Sequence, residues 1–161
     1  MKTKNRKPTR LCNYDYSSNG VYFITICSKN KKHMFSTIVG DGVLDVPQVV
    51  LSEYGKIIDE QLCAINNHYD NICIDNYVIM PNHIHMLINV CANGTSRTPS
   101  PTNDTIPMFV STLKRFVNRQ ASEDLFQRSY FDHIIRNEED YLTHYNYIQI
   151  NPIKWSDDEL Y

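Results

Sequence analysis

The stretch Asn76-Tyr77-Val78-Ile79-Met80-Pro81-Asn82-His83-Ile84-His85-Met86-Leu87-Ile88 constrains the fold of this chain more than any other part of it. Two apolar runs, near 72–80 and 84–90, flank Pro-Asn, a pattern that reads as an antiparallel hairpin. Alternate residues of a strand share a face. His83, His85 and Leu87 therefore project together from one side of a sheet, and Ile84, Met86 and Ile88 from the other. Two convergent imidazoles beside a turn suit a divalent metal at a sheet rim. The same spacing also arises when both histidines are ordinary half-buried sheet residues, so the rest of the chain has to decide.

The remaining elements follow from periodicity and punctuation. Residues 21–27 are β-branched and aromatic and predict a strand. Gly40-Asp41-Gly42, between short apolar pieces within 34–46, predicts a hairpin. Ser52 can cap a helix running to about 66, with Tyr54, Ile57, Ile58, Leu62 and Ile65 on one stripe. Residues 93–105, rich in Gly, Pro, Ser and Thr, read as an exposed loop. A helix from about Pro107 to Gln120 follows, then a strand at 129–135 and a last helix at 138–150, whose first three residues are acidic and favour its dipole. The order strand, helix, strand, strand, helix, strand matches the split βαβ arrangement. The expected fold is α+β: a ferredoxin-like antiparallel sheet with helices on one face and an appended C-terminal helix free to meet the histidine face.

On a 3.6-residue period, the last helix separates into two faces. Tyr141, Leu142, Tyr145 and Ile148 form the apolar stripe expected to pack. His144, Tyr147 and Asn151 follow at spacings of three and four on a different face. A tyrosine hydroxyl beside a metal is a nucleophile for phosphoryl chemistry, provided a metal or base activates a phenol whose ordinary pKa is near 10. Most of the eleven tyrosines must nonetheless be structural, and aromatics on helices usually pack.

At this point the chain resembles a known family. Tyr14-Asp15-Tyr16 leading into Tyr22-Phe23-Ile24-Thr25, then Tyr77-Val78-Ile79-Met80-Pro81-Asn82-His83-Ile84-His85, then Phe126 through Tyr141 (Phe-Gln-Arg-Ser-Tyr-Phe-Asp-His-Ile-Ile-Arg-Asn-Glu-Glu-Asp-Tyr), and finally Tyr147-Ile148-Gln149-Ile150-Asn151-Pro152 occur in the order found in single-tyrosine HUH transposases. The resemblance is strongest to the REP-associated tyrosine transposases and their domesticated relatives. It implies His83 and His85 as metal ligands, Asn151 as a third ligand, and Tyr147 as the nucleophile on the appended helix. His144, one turn before Tyr147, is a candidate base or alternative ligand. The implied cofactor is Mg²⁺ or Mn²⁺; two nitrogen ligands suit Mn²⁺ somewhat better. The implied activity is a metal-dependent single-stranded DNA endonuclease and strand transferase acting on hairpin-forming DNA through a 5′-phosphotyrosine. Two alternatives stand beside it: a domesticated hairpin-binding module without productive cleavage, and a metal hydrolase using activated water.

Composition fits these readings. The chain has 161 residues, 42% hydrophobic and 21% charged, as one soluble globular domain would. A single domain over 1–161, with a basic and flexible arm at 1–12, is expected. Five cysteines without a Cys-x-x-Cys pair argue against a disulfide framework or a closed zinc site; Cys27, Cys63 and Cys73 lie in apolar stretches and are expected in the core. The absence of a signal-like or long apolar segment points to a cytoplasmic protein with no membrane partner. The net charge is −2, but the charges segregate. Lys2, Lys4, Arg6, Lys7 and Arg10 form a basic arm, Lys29, Lys31 and Lys32 a second cluster, and Lys114, Arg115 and Arg119 a third. Of these, Arg6, Lys7, Arg10, Lys114, Arg115 and Arg119 are the candidate contacts to DNA phosphates. Tyr14, Tyr16 or Tyr22 are candidates for base stacking. Both a monomer and a homodimer are compatible with the sequence.

Overall fold

The computed structural model describes residues 19–40, 46–91 and 105–155. The chain runs through β1 (Gly20–Cys27), β2 (Ser36–Val39), β3 (Gln48–Leu51), α1 (Glu53–His68), β4 (Ile72–Ile79), β5 (His83–Val90), α2 (Thr105–Ala121), β6 (Phe131–Ile135) and α3 (Glu138–Ile150). Four strands form one antiparallel sheet in the order β4-β5-β1-β6, and β2 pairs with β3 apart from it. Without that small hairpin, the order β1-α1-β4-β5-α2-β6 is the expected split βαβ, with α3 appended.

One face of the sheet carries the main core. Tyr22, Ile24 and Ile26 of β1 and Ile84, Met86 and Ile88 of β5 pack there against Ile58, Leu62 and Ile65 of α1 and Phe109, Val110, Leu113 and Val117 of α2. Each such side chain contributes about 1.5–3 kcal/mol by leaving water. Tyr22 is fully buried in this layer, so it belongs to the core and not to a stacking surface. Seven of the eight β5 residues are buried, because α3 covers the second face near the sheet's centre.

Local chemistry explains the boundaries. Ser52 caps α1, its hydroxyl accepting from Gly55 N at 3.1 Å while donating to the Met34 carbonyl at 2.6 Å. Asn137 caps α3 by accepting from Asp140 N. Pro107 falls in the first turn of α2 as expected. The hairpin expected within 34–46 forms, but its second strand is Gln48–Leu51, later than the glycine pair suggested; Gly40 takes a positive φ of 91°, and residues 41–45 lie outside the described residues. The loop expected at 93–105 and the basic arm with Arg6, Lys7 and Arg10 also fall almost wholly outside them.

Two packing expectations are corrected. Cys27 is buried, but Cys63 and Cys73 are exposed; apolar neighbours in sequence placed them in the core, whereas they occupy outward positions on α1 and on the edge strand β4. In α3, Ile148 is buried but Leu142 is 49% exposed. The rest of the stripe packs, with Tyr141 and Tyr145 half-buried, and His144 and Asn151 turn inward beside it. Among the described residues, no helix is long and apolar enough to cross a membrane.

Candidate active site

The turn between β4 and β5 fixes the histidine pair. It is buried, and its polar groups are satisfied by neighbours: Met80 N donates to His83 O at 2.8 Å, Ser28 N to Asn82 O at 2.8 Å, and Met34 N and Phe35 N both donate to Pro81 O. Proline lacks an N–H, but its carbonyl accepts twice here, which fastens the turn to the segment after β1. His83 and His85 leave this turn on the same side of β5, with ring centroids 4.4 Å apart and exposures of 0% and 3%.

Each imidazole is held by its Nδ1. In His83 this atom lies 2.7 Å from Asn82 Oδ1, and in His85 it lies 2.8 Å from Thr25 Oγ1. An amide oxygen only accepts, so this contact calls for a proton on His83 Nδ1, and the neutral tautomer that satisfies it has Nε2 as its lone-pair nitrogen. Nε2 of His85 is buried with no hydrogen bond; His83 Nε2 and Asn151 Oδ1 are also buried atoms to which no hydrogen bond is made, although both residues have other contacts. Burial, followed by the neighbouring His83 and His144, pushes the His85 pKa well below the usual histidine range. The ring is therefore neutral near pH 7, the state required of a metal ligand.

The opposite wall comes from α3 and the turn after it. Tyr147 is 38% exposed, and its ring lies 5.1 Å from that of His85. Asn151 ends the helix at 2% exposure, one turn beyond Tyr147. Trp155 lies 5.9 Å from His83 and 5.3 Å from His33. Phe23 sits among these groups: stacked on His85 at 5.1 Å, against His144 at 4.7 Å, and edge-on to Tyr147 at 6.1 Å. Ring contacts of this kind are worth about 0.5–1.5 kcal/mol beyond area burial, so Phe23 orients three side chains at once.

His83, His85 and Tyr147 thus meet on one sheet face, and the buried Asn151 follows one helical turn after Tyr147, so that two imidazoles, a phenol and an amide are the candidate donors. His144 is close by, but its Nδ1 is 2.9 Å from the Asp140 carbonyl and 3.1 Å from the Asp140 carboxylate. His133 Nε2 is 3.0 Å from each oxygen of the same carboxylate. Partial burial opposes ionisation of Asp140, but its bonds to His133 and to the Arg136 N–H, with the charges of His133 and His144, hold its pKa below the usual carboxylate value. His133, Asp140 and His144 each offer one ligand atom within 4.8 Å of the others, a group able to hold a metal.

The α2 cations lie elsewhere. α2 covers the sheet face opposite the histidines, with Arg115 and Arg119 exposed and the Arg115 guanidinium 5.4 Å from the Phe116 ring. Lys114 turns inward, its ammonium 2.7, 3.3 and 3.0 Å from the carbonyls of Gln127, Arg128 and Ser129. Sequence reasoning missed Phe23, Thr25 and His133. Strand alternation carried the signal, since Phe23 pairs with both Leu87 and His133, and Thr25 with His85. The spacing of Asp140 and His144, one helical turn, was equally readable. Nothing in the sequence marked Trp155 beyond its place four residues after Asn151.

An antiparallel ferredoxin-like sheet with a buried His-x-His pair, faced by a tyrosine on an appended helix, defines a two-histidine, one-tyrosine class of site. No protein-family model matches the chain. It is 37% identical over 173 residues to an uncharacterized protein of Haemophilus influenzae, covering 97% of this chain and 93% of the relative. A second H. influenzae protein, provisionally named a REP-associated tyrosine transposase, is 25% identical over 89% of this chain and 77% of its own. A REP-associated tyrosine transposase of Escherichia coli K12 is 28% identical over 50% of this chain and 44% of its own. Among solved structures, a REP-associated tyrosine transposase bound to a REP hairpin superposes with a TM-score of 0.60 at 19% identity, over 84% of this chain and 68% of that one, a likeness of fold. The relatives that carry a functional name are REP-associated tyrosine transposases, and they support that family and a transposase-like function for this chain.

Proposed function

We propose that this protein is a metal-dependent single-stranded DNA endonuclease and strand transferase that acts on hairpin-forming DNA. The observation that carries the reading is the Tyr147 ring 5.1 Å from that of His85, whose Nδ1 is tied to Thr25 and whose Nε2 is buried with no hydrogen bond. Kinship with transposases, one of them solved with a REP hairpin, supplies the substrate class. The donor set fits a divalent ion such as Mn²⁺ or Mg²⁺, held by His83, His85 and Asn151. When bound, such an ion supplies Lewis-acid stabilisation of charge developing on a phosphoryl oxygen.

The chain's own residues do the rest. Tyr147 Oη attacks phosphorus as its proton departs. The bond to the 3′ oxygen breaks, leaving a 5′-phosphotyrosine and a 3′-hydroxyl once that oxygen takes up a proton. Rejoining reverses the exchange with another 3′-hydroxyl and needs no nucleotide, because the phosphotyrosine remains a phosphodiester. Thr25 and Asn82 orient the imidazoles, and Phe23 fixes His85 and Tyr147 relative to one another. Arg6, Lys7 and Arg10, with the exposed Arg115 and Arg119, are the proposed phosphate contacts; the latter two, behind the sheet, would hold duplex flanking the cleaved strand. Lys114 braces the segment before β6.

The test is incubation with labelled single-stranded hairpin oligonucleotides from around the protein's own gene, with and without Mn²⁺ or Mg²⁺. A denaturation-resistant adduct should form with metal and vanish in Tyr147→Phe. Cleavage by that variant would assign the reaction to activated water. Tight hairpin binding with no adduct in the wild type would make the protein a binding module.

A further inference from the structure

We propose that His133, Asp140 and His144 form a second divalent-metal site, separate from the histidine pair, that takes Zn²⁺ and pins the start of α3 to β6. The trio draws on two elements. His133 comes from β6, while Asp140 and His144 lie one turn apart on α3. All three ligand atoms fall within 4.8 Å, the two imidazoles stack at 4.6 Å with 18° between their planes, and both meet one carboxylate at 3.0–3.1 Å. Ligands about 2.1 Å from a tetrahedral zinc lie about 3.4 Å from one another. Opening these contacts by a few tenths of an ångström, and turning one of the stacked imidazoles so that both ring planes contain the ion, makes room for it once the histidine protons are lost.

Two imidazoles and one carboxylate form a borderline donor set, suited to Zn²⁺ and poorly matched to Mg²⁺. Asp140 is already ionised and oriented by the backbone N–H of Arg136 at 3.0 Å, the supporting contact that ligating carboxylates require. The side chains of Asp140 and His144 are each 21% exposed and that of His133 46%, so an ion can enter from solvent. The site also bears on the tyrosine helix: His144 packs its ring on Phe23 and lies one turn before Tyr147. A metal here would fix the helix's first two turns, acting on Tyr147 by position.

The test is titration of chelator-treated full-length protein with Zn²⁺ against a chromophoric competitor, with melting temperature followed in parallel. Wild type should bind two equivalents and Asp140→Asn one, with affinity at the trio at least ~10-fold weaker; His133→Gln should reproduce this. Asp140 and His133 are partly exposed, and circular dichroism checks that their variants fold. A His83→Ala, His85→Ala double variant should retain one equivalent and gain thermal stability from it. If Asp140→Asn binds as much Zn²⁺ as wild type, or the double variant binds none, the trio is a hydrogen-bonded brace and the proposal is overturned. The histidine-pair reading fails separately, if the double variant binds as many equivalents as wild type.

Discussion

Replacing Thr25 with valine keeps the side chain's shape and deletes the group that orients His85. The Thr25 hydroxyl is 2.8 Å from His85 Nδ1, both residues are buried, and His85 is 3% exposed, so water cannot take the hydroxyl's place. Leaving a buried polar nitrogen unsatisfied costs about 1–3 kcal/mol. At about 2–4 °C per kcal/mol for a domain of this size, the melting temperature should fall by about 2–12 °C. The ring also loses its fixed rotation, which for a metal ligand typically costs about 10–100-fold in affinity. Urea unfolding measures the first effect, and loss of the free-Mn²⁺ resonance signal on titration measures the second. Thr25→Ser should restore both. A valine variant with lowered stability and unchanged Mn²⁺ affinity would remove His85 from the ligand set. One unchanged in both would show that the hydroxyl contact contributes nothing.

Gly55→Ala should be destabilising although it sits in a helix, because the new Cβ would overlap the Phe35 carbonyl oxygen and lie 3.2 Å from the Leu51 Cβ; a loss of about 1–3 kcal/mol in urea unfolding is expected. Lys114 gives a pH signature. Burial lowers its pKa to about 8, below the unfolded value of about 10.4. Between these values the unfolded chain binds more protons, so this group makes stability rise with pH from about 8 to about 10.4. Lys114→Met should flatten that part of the profile, with urea midpoints across the range as the measure.

The sequence was most legible where one physical signal dominated. α3 matched its expected bounds, 138–150, because three acids after a capping asparagine mark its start. The histidine face of β5 followed from period-two alternation, and the register bears it out by setting His85 opposite Thr25. Legibility failed where neighbours in space decide. An apolar stripe on α3 was expected to pack, yet Leu142 is half exposed, while His144 and Tyr147 of the same helix meet the rings of Phe23, His85 and His133. Lys114 reads as a surface cation until three carbonyls before β6 are seen to converge on it. The Asp140 cluster needed β6 placed beside α3, which no local pattern reveals.

The manner in which α3 is attached has a dynamic consequence. Ile148 is its only buried aliphatic side chain, whereas seven of the eight residues of β5 and five of the eight of β1 are buried. Amide protons in the two central strands should exchange only through global unfolding, and those of α3 through a smaller opening that leaves the sheet intact. Lifting one helix would then uncover the histidines without melting the core. A pair closed at rest would thereby open to a bulky ligand while the sheet beneath it stayed rigid.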